Sequence, residues 1–317
     1  MRPEVLEGDV RKVLKTLDDE SVQCVVTSPP YWGLRDYGVD DQLGLEKTPE
    51  EYVENMVGVF QEVKRVLRKD GTVWLNLGDS YASARGRYSS SPQTIAGGKS
   101  HDEPMDGKRP DLIHHPVFKD KDLIGIPWRV ALALQADGWY IRSDIIWNKP
   151  NPMPESVRDR PTKSHEYIFL LTKSAKYYYD YEAIKEPHKA ESFKRYNYGF
   201  NDTKKRKALR QTGMVNHELL TVNESSGRNK RSVWKITTKP YKEAHFATFP
   251  EELPETCIKA GTKRGDVVLD IFAGSGTTLR VASELGRKGI GIELNPEYIK
   301  ILKKRCKIES MSLEAFA

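Results

Sequence analysis

Two short segments, one near each end of the chain, carry residue types whose spacing suits chemistry on a ligand. The first reads Thr27-Ser28-Pro29-Pro30-Tyr31 and follows the apolar run of residues 22–26. Its prolines remove backbone donors and hold φ, so a buried strand must end there in a stiff loop. The loop offers the Ser28 hydroxyl and the Pro29 carbonyl as hydrogen-bond acceptors and the Tyr31 ring as a stacking surface. Such a set suits an exocyclic amine of cytosine or adenine, a poor nucleophile because its lone pair is delocalised into the ring. Two acceptors for the amino hydrogens pull the nitrogen toward tetrahedral geometry, and a stacked ring holds the base in line with the group it attacks. Standing alone, the same residues also read as a proline turn after a strand.

The second segment is an apolar strand at residues 267–272 that runs into Ala273-Gly274-Ser275-Gly276-Thr277-Thr278 and then a helix over 279–286. A glycine-rich turn between strand and helix sets backbone N–H groups and the positive helix end beside a ligand. Gly274 and Gly276 form G-x-G, but Leu279 stands where a dinucleotide fingerprint needs its third glycine, and no G-K-[ST] follows. Glu293, about 20 residues beyond the first glycine, ends the next strand, where a carboxylate can accept two hydrogen bonds from a ribose diol. A ribose without a pyrophosphate fits S-adenosylmethionine. Asp270, at the strand end, either meets the cofactor's amino group or orients and caps the loop.

TSPPYW at 27–32 together with DIFAGSGTT at 270–278 resembles the amino-group DNA methyltransferases, in the order of their circularly permuted beta class. The resemblance covers most of the chain. HFATFP at 245–250 resembles the segment that packs around the methionine end of the cofactor, and Gly8-Asp9 resembles an acidic position near its adenine. The implied catalytic residues are Ser28, Pro29, Pro30 and Tyr31, with Trp32 as a second surface for the base. The implied cofactor set is Asp9, Thr27, His245, Phe246, Phe249 and Pro250, joined by Asp270, Phe272, Ala273, Gly274, Ser275, Gly276, Thr277, Thr278 and Glu293. LNLGDSY at 75–81 matches another strand-end segment, in which Asp79 either lines the target pocket or caps a turn. In the family, serine before the prolines usually accompanies N4-cytosine methylation and aspartate there N6-adenine methylation, so Ser28 favours cytosine. Carbon-5 methylation is rejected, because none of Cys24, Cys257 and Cys306 follows a proline as the thiolate nucleophile should. N6-adenine methylation on the same fold stands as the alternative, and a DNA-binding module with a defunct core as a more distant one.

The elements around these segments alternate as a parallel α/β sheet requires. Thr48, Pro49 and Glu51 form a capping-box start for a helix with apolar residues at Tyr52, Met56, Val59, Val63 and Leu67, ended by Asp70-Gly71. Residues 72–77, 141–147, 166–172 and 289–294 read as strands, 127–136 as a helix, and Asn295-Pro296 as the cap and first residue of a terminal helix. The resemblance implies a doubly wound, mostly parallel, seven-stranded Rossmann-like sheet with one antiparallel strand, built from both ends of the chain. Residues 1–184 form the catalytic half, with a long loop at 81–121, and 241–317 the cofactor half. Between them, residues 185–240 carry 14 Lys and Arg against 5 Asp and Glu, interleaved with Phe193, Tyr196, Tyr198, Phe200 and Trp234. This basic, aromatic stretch suits gripping phosphates and stacking on bases, and reads as a target-recognition insertion for duplex DNA. A solvated charged insert is the plainer reading.

The net charge of +6 is therefore concentrated in one stretch of the chain. The three cysteines show no C-x-x-C spacing, no stretch approaches a membrane span, and no metal is required, so a cytoplasmic protein of a bacterium, archaeon or phage is expected. A cognate restriction endonuclease stays open as a second partner, and the sequence carries no signal of oligomeric state.

Overall fold

The computed structural model describes residues 2–82, 115–188, 227–238 and 249–308. The chain divides into two compact units, Met1–Tyr179 with Ser232–Ala317, and Asp180–Arg231. In the smaller unit a 3-10 turn at Glu182–Ile184 leads to an antiparallel bridge between Glu186 and Arg228, whose side chains also pair at 3.3 Å.

The larger unit is built on β1 (Glu4–Glu7), β2 (Val22–Thr27), β3 (Leu67–Leu77), β4 (Tyr140–Asn148), β5 (His165–Thr172), β6 (Val233–Lys235), β7 (Val267–Asp270) and β8 (Lys288–Glu293). They form one sheet in the order β1-β8-β7-β2-β3-β5-β4-β6, and only β5 runs antiparallel to its neighbours. The described residues thus hold eight strands where the resemblance implied seven. The short edge strand β6 lies in the stretch read as basic insertion, and Trp234 holds it down by packing on Trp74 at 6.1 Å.

Helices are α1 (Val10–Val13), α2 (Pro49–Val66), α3 (Ile126–Ala136), α4 (Glu252–Gly261), α5 (Thr277–Glu284) and α6 (Pro296–Arg305). Alternate residues of β3 face opposite layers. Val73, Leu75 and Leu77 enter the core shared with α2 and α3, whereas Thr72 faces Gly261 of α4 so closely that a Cβ there would lie 2.5 Å from its hydroxyl. Every residue of β2 is buried, as expected of an apolar strand covered on both faces. The α2 cap forms as read, Thr48 Oγ1 accepting from the Glu51 N–H at 3.2 Å, while the Glu51 carboxylate turns back to the Lys47 N–H at 3.0 Å.

The end of α2 differs from the sequence reading. The helix stops at Val66 and passes straight into β3, so Asp70-Gly71 lies within the strand instead of capping the helix. Gly71 serves close packing there: a Cβ would lie 2.7 Å from the Leu67 side chain and 2.8 Å from the Gln23 carbonyl.

Asp79 has a capping role. Its Oδ1 accepts from the N–H groups of Ser80, Gly125 and Ile126 at 2.9, 3.0 and 3.0 Å, closing the start of α3, where Gly125 brings no side chain. Asp79→Ala is expected to lower unfolding stability by about 1–2 kcal/mol in urea titration.

Candidate active site

β2 and β7 are neighbouring parallel strands, with Cys24 opposite Val268 and Val25 opposite Leu269, so both motifs leave the same edge of the sheet side by side. Thr27 Oγ1 donates to Asp270 Oδ1 at 2.8 Å across this junction. Thr278 Oγ1 donates to Asp270 Oδ2 at 2.7 Å and the Phe272 N–H to Oδ1 at 3.2 Å, so the carboxylate ties the strand to its glycine loop. Burial outweighs these donors and raises the Asp270 carboxyl to about 6.

Beyond β7 the loop is shaped by two glycines with positive φ. Gly274, at +50°, would bring a Cβ no closer than 4.0 Å to the Phe272 carbonyl, whereas Gly276, at +78°, packs so tightly that a Cβ would lie 2.7 Å from Leu302. Glu293, at the end of β8, accepts the Gly274 N–H at 2.7 Å on one oxygen and the Asn295 N–H at 2.8 Å on the other, and burial pushes its carboxyl up. From the last turn of α6, the largely buried Arg305 donates to Ser275 Oγ at 2.8 Å, Thr277 Oγ1 at 2.9 Å and Glu251 Oε1 at 3.1 Å. Asp9 follows β1, caps α1 and pairs with Arg11 at 2.7 Å. Its burial would raise the carboxyl, but the Arg11 hydrogen bonds and charge hold it below the ordinary aspartate range.

These strand ends open into one cleft. Ser28 and Pro30 line it together with Asp9, Phe249, Gly274 and Glu293, and Asp270, Phe272, Ala273, Ser275 and Thr277 complete the implied residues on its wall. Thr27, Pro29, Tyr31, Pro250, Gly276 and Thr278 are not among the residues of this wall, and His245 and Phe246 lie outside the described residues.

On the catalytic side, the fully buried Tyr52 donates its hydroxyl to the Pro30 carbonyl at 2.9 Å and fixes the second proline. The Tyr31 ring lies against Gly78, and its hydroxyl lies 3.2 Å from Ser28 Oγ, 3.2 Å from Asn76 Oδ1 and 2.8 Å from Glu166 Oε2. Trp32 is not a surface for a base. It is 3% exposed, part of the core, and donates its indole N–H to the Glu46 carbonyl at 3.0 Å.

A profile of the DNA methylase family, grouping N6 and N4 methyltransferases, matches residues 22–304. The chain belongs to this family. It is 48% identical over 309 residues to Type II methyltransferase M.Cfr9I of Citrobacter freundii, covering 98% of this chain and 89% of that protein. With Type II methyltransferase M.SmaI of Serratia marcescens the identity is 46% over 306 residues, covering 95% and 89%. PvuII DNA methyltransferase, described as cytosine-N4-specific, shares the fold with a TM-score of 0.63 at 19% identity, over 99% of this chain and 89% of that one. A Thermus thermophilus protein solved with S-adenosyl-L-methionine does so with a TM-score of 0.60 at 24% identity, over 98% and 96%. The chain is thus a Type II DNA methyltransferase of the N6/N4 family, and S-adenosylmethionine is its cofactor.

The cleft's own chemistry fits that cofactor. Carboxylates at Asp9, Asp41 and Glu293 complement a cationic ligand, and apolar walls such as Leu43, Phe249 and Phe272 suit an adenosine. Beside its backbone donors the Glu293 carboxylate retains acceptor capacity for a ribose hydroxyl. Among the described residues there is no group of three or more His, Cys, Asp or Glu placed to hold a metal ion, and no helix long and apolar enough to cross a membrane.

Sequence reasoning missed the strap of residues 33–47, of which Tyr37, Val39, Asp41, Gln42 and Leu43 line the cleft. Arg11 donates to the Asp41 carbonyl at 2.8 Å and Asn295 to the Tyr37 carbonyl at 3.4 Å, tying the strap to both β1 and β8 sides. No periodicity or motif marks it; its place after the proline turn was the one available signal. Arg305 was missed because its partners lie 28, 30 and 54 residues earlier.

Arg305→Ala is expected to raise the dissociation constant for S-adenosylmethionine about tenfold in calorimetry, with Arg305→Lys intermediate, because the Ser275-Thr277 turn loses its anchor. A carboxyl raised in the folded state contributes stability below its unfolded value of 3.8 and loses it as pH rises through about 6. The stability of the wild type relative to Asp270→Asn should therefore fall by about 2 kcal/mol between pH 4 and pH 7, read by urea unfolding across that range.

Proposed function

We propose that this protein methylates the N4 amine of cytosine in duplex DNA, on a nucleotide flipped out of the helix. The observation that carries the reading is that Ser28 lines the same cleft as Gly274 and Glu293. S-adenosylmethionine supplies a methyl group activated by the sulfonium. Glu293 holds the ribose, and Asp9 and the loop at Gly274 orient the rest of the cofactor. Ser28 Oγ and the Pro29 carbonyl accept the two amino hydrogens, drawing the lone pair out of the ring, while Tyr31 forms the surface beside the base. The solved neighbour described as cytosine-N4-specific supports cytosine over adenine as the target.

The duplex is held through the basic stretch of residues 185–240, whose Lys and Arg excess suits phosphate contacts, with arginines available to read guanine edges. Extruding the target costs about a few kcal/mol, which these contacts must offset.

Incubation with labelled S-adenosylmethionine and duplex DNA, followed by digestion to nucleosides, should give N4-methylcytosine; label on adenine would refute the choice of base. Tyr31→Ala should abolish transfer while leaving duplex affinity within about threefold, since affinity resides in phosphate contacts. Replacing Lys204, Lys205, Arg206 and Lys207 by alanine should reduce the salt slope of duplex binding by about one unit for each phosphate no longer neutralised, measured by anisotropy from about 50 to 200 mM salt.

A further inference from the structure

Beneath the Ser28-Tyr31 loop lies a polar cluster drawn from three other elements. Asn76 comes from β3, Glu166 from β5, and Lys149 from the residue after β4. Lys149 Nζ donates to Glu166 Oε1. Asn76 Nδ2 donates to Glu166 Oε2 and to the Tyr167 carbonyl, each at 3.1 Å, which engages both amide hydrogens and leaves Oδ1 as an acceptor. Side-chain exposures of 15% for Glu166 and 20% for Lys149 keep the pair largely out of water.

This arrangement fixes the direction of the neighbouring protons. Tyr31 has a single proton and two acceptors to choose from: Glu166 Oε2 at 2.8 Å, which is charged, and Asn76 Oδ1 at 3.2 Å, which is neutral. The shorter, charge-assisted bond prevails. Burial, and after it the Glu166 charge, pushes the phenol well above its ordinary value, so Tyr31 remains a donor. Its oxygen is then an acceptor toward Ser28 Oγ at 3.2 Å, and the one proton of the serine turns toward it.

We infer that Glu166 is a positioning residue that acts through Tyr31 to make the Ser28 hydroxyl an obligatory acceptor toward the cleft. The serine proton points inward along the chain Ser28 to Tyr31 to Glu166, and its lone pairs face the place where the target amine sits. The inference rests on the reading of Ser28 as an acceptor for that amine. Without the carboxylate, Tyr31 can turn its proton toward Asn76 or Ser28, and a serine that receives it presents its own proton to the N–H groups it should accept. An asparagine amide oxygen or an ionised aspartate at the first position of this loop carries no proton and would need no such orientation; a serine does.

The test is single-turnover methyl transfer to duplex DNA from labelled S-adenosylmethionine, with Glu166→Gln, Tyr31→Phe and the double variant. Glu166→Gln should slow transfer by about 10- to 100-fold while the KM for the cofactor and the affinity for duplex change by no more than about twofold. Tyr31→Phe, which keeps the ring, should lose a similar factor. In the Tyr31→Phe background the Glu166 substitution should add less than about a twofold loss, because the path to Ser28 is already cut; a merely structural role would multiply the two losses. Transfer by Glu166→Gln within about twofold of wild type, or multiplying losses, overturns the inference. If Glu166→Gln fails to bind the cofactor, Tyr31→Phe decides by itself, and a wild-type rate there overturns the inference. A wild type that places no methyl group on an exocyclic amine of DNA overturns the functional reading instead, so the two failures are distinct.

Discussion

The hydrogen bond between Thr27 and Asp270, at the carboxyl ends of paired strands β2 and β7, is the contact on which the rest of the site depends. It joins residues 243 positions apart in the chain. Because both strands are parallel and central, their ends emerge together, and ligands of open α/β sheets bind beyond such ends. The junction has an energetic cost, since a carboxylate is buried, and three donors hold it in place.

From that junction the site divides into two regions of different character. On the β7–β8–β1 side, acidic groups and apolar walls line an open cleft, and the glycine loop is held from behind by Arg305, which leaves its front free for a ligand. On the β2–β3–β5 side, the proline turn is immobilised at several points: Tyr52 on the Pro30 carbonyl, Trp32 on Glu46, and the Tyr31 hydroxyl among Asn76, Glu166 and Ser28. Rigidity on this side matters because a delocalised amine reacts only when its acceptors are already in place.

Asp79 and Trp32 illustrate how residues inside a motif divide between function and support. Asp79 sits in a segment shared with the family, yet its carboxylate faces three backbone N–H groups at the start of α3. Trp32 extends the catalytic motif in sequence and belongs to the core in space. Position within a motif indicates the neighbourhood of a residue, and the atoms it touches decide its role.

The motifs indicated the family by resemblance and the cofactor type by their glycine spacing and Glu293, and most strand and helix positions were legible because glycine and proline constraints and apolar periodicity act locally along the chain. The start of α6 at Asn295-Pro296 and the Thr48 cap of α2 were legible for that reason. The continuation of α2 directly into β3 was not, since Gly71 serves packing against Gln23 and Leu67 instead of a turn. Only the tertiary structure decided that Glu166, Asn76 and Lys149 surround Tyr31, that Arg305 anchors the Ser275-Thr277 turn, and that residues 33–47 line the cleft. These contacts join strands and loops far apart in the chain, and long-range pairing leaves no periodic trace in the sequence around each partner.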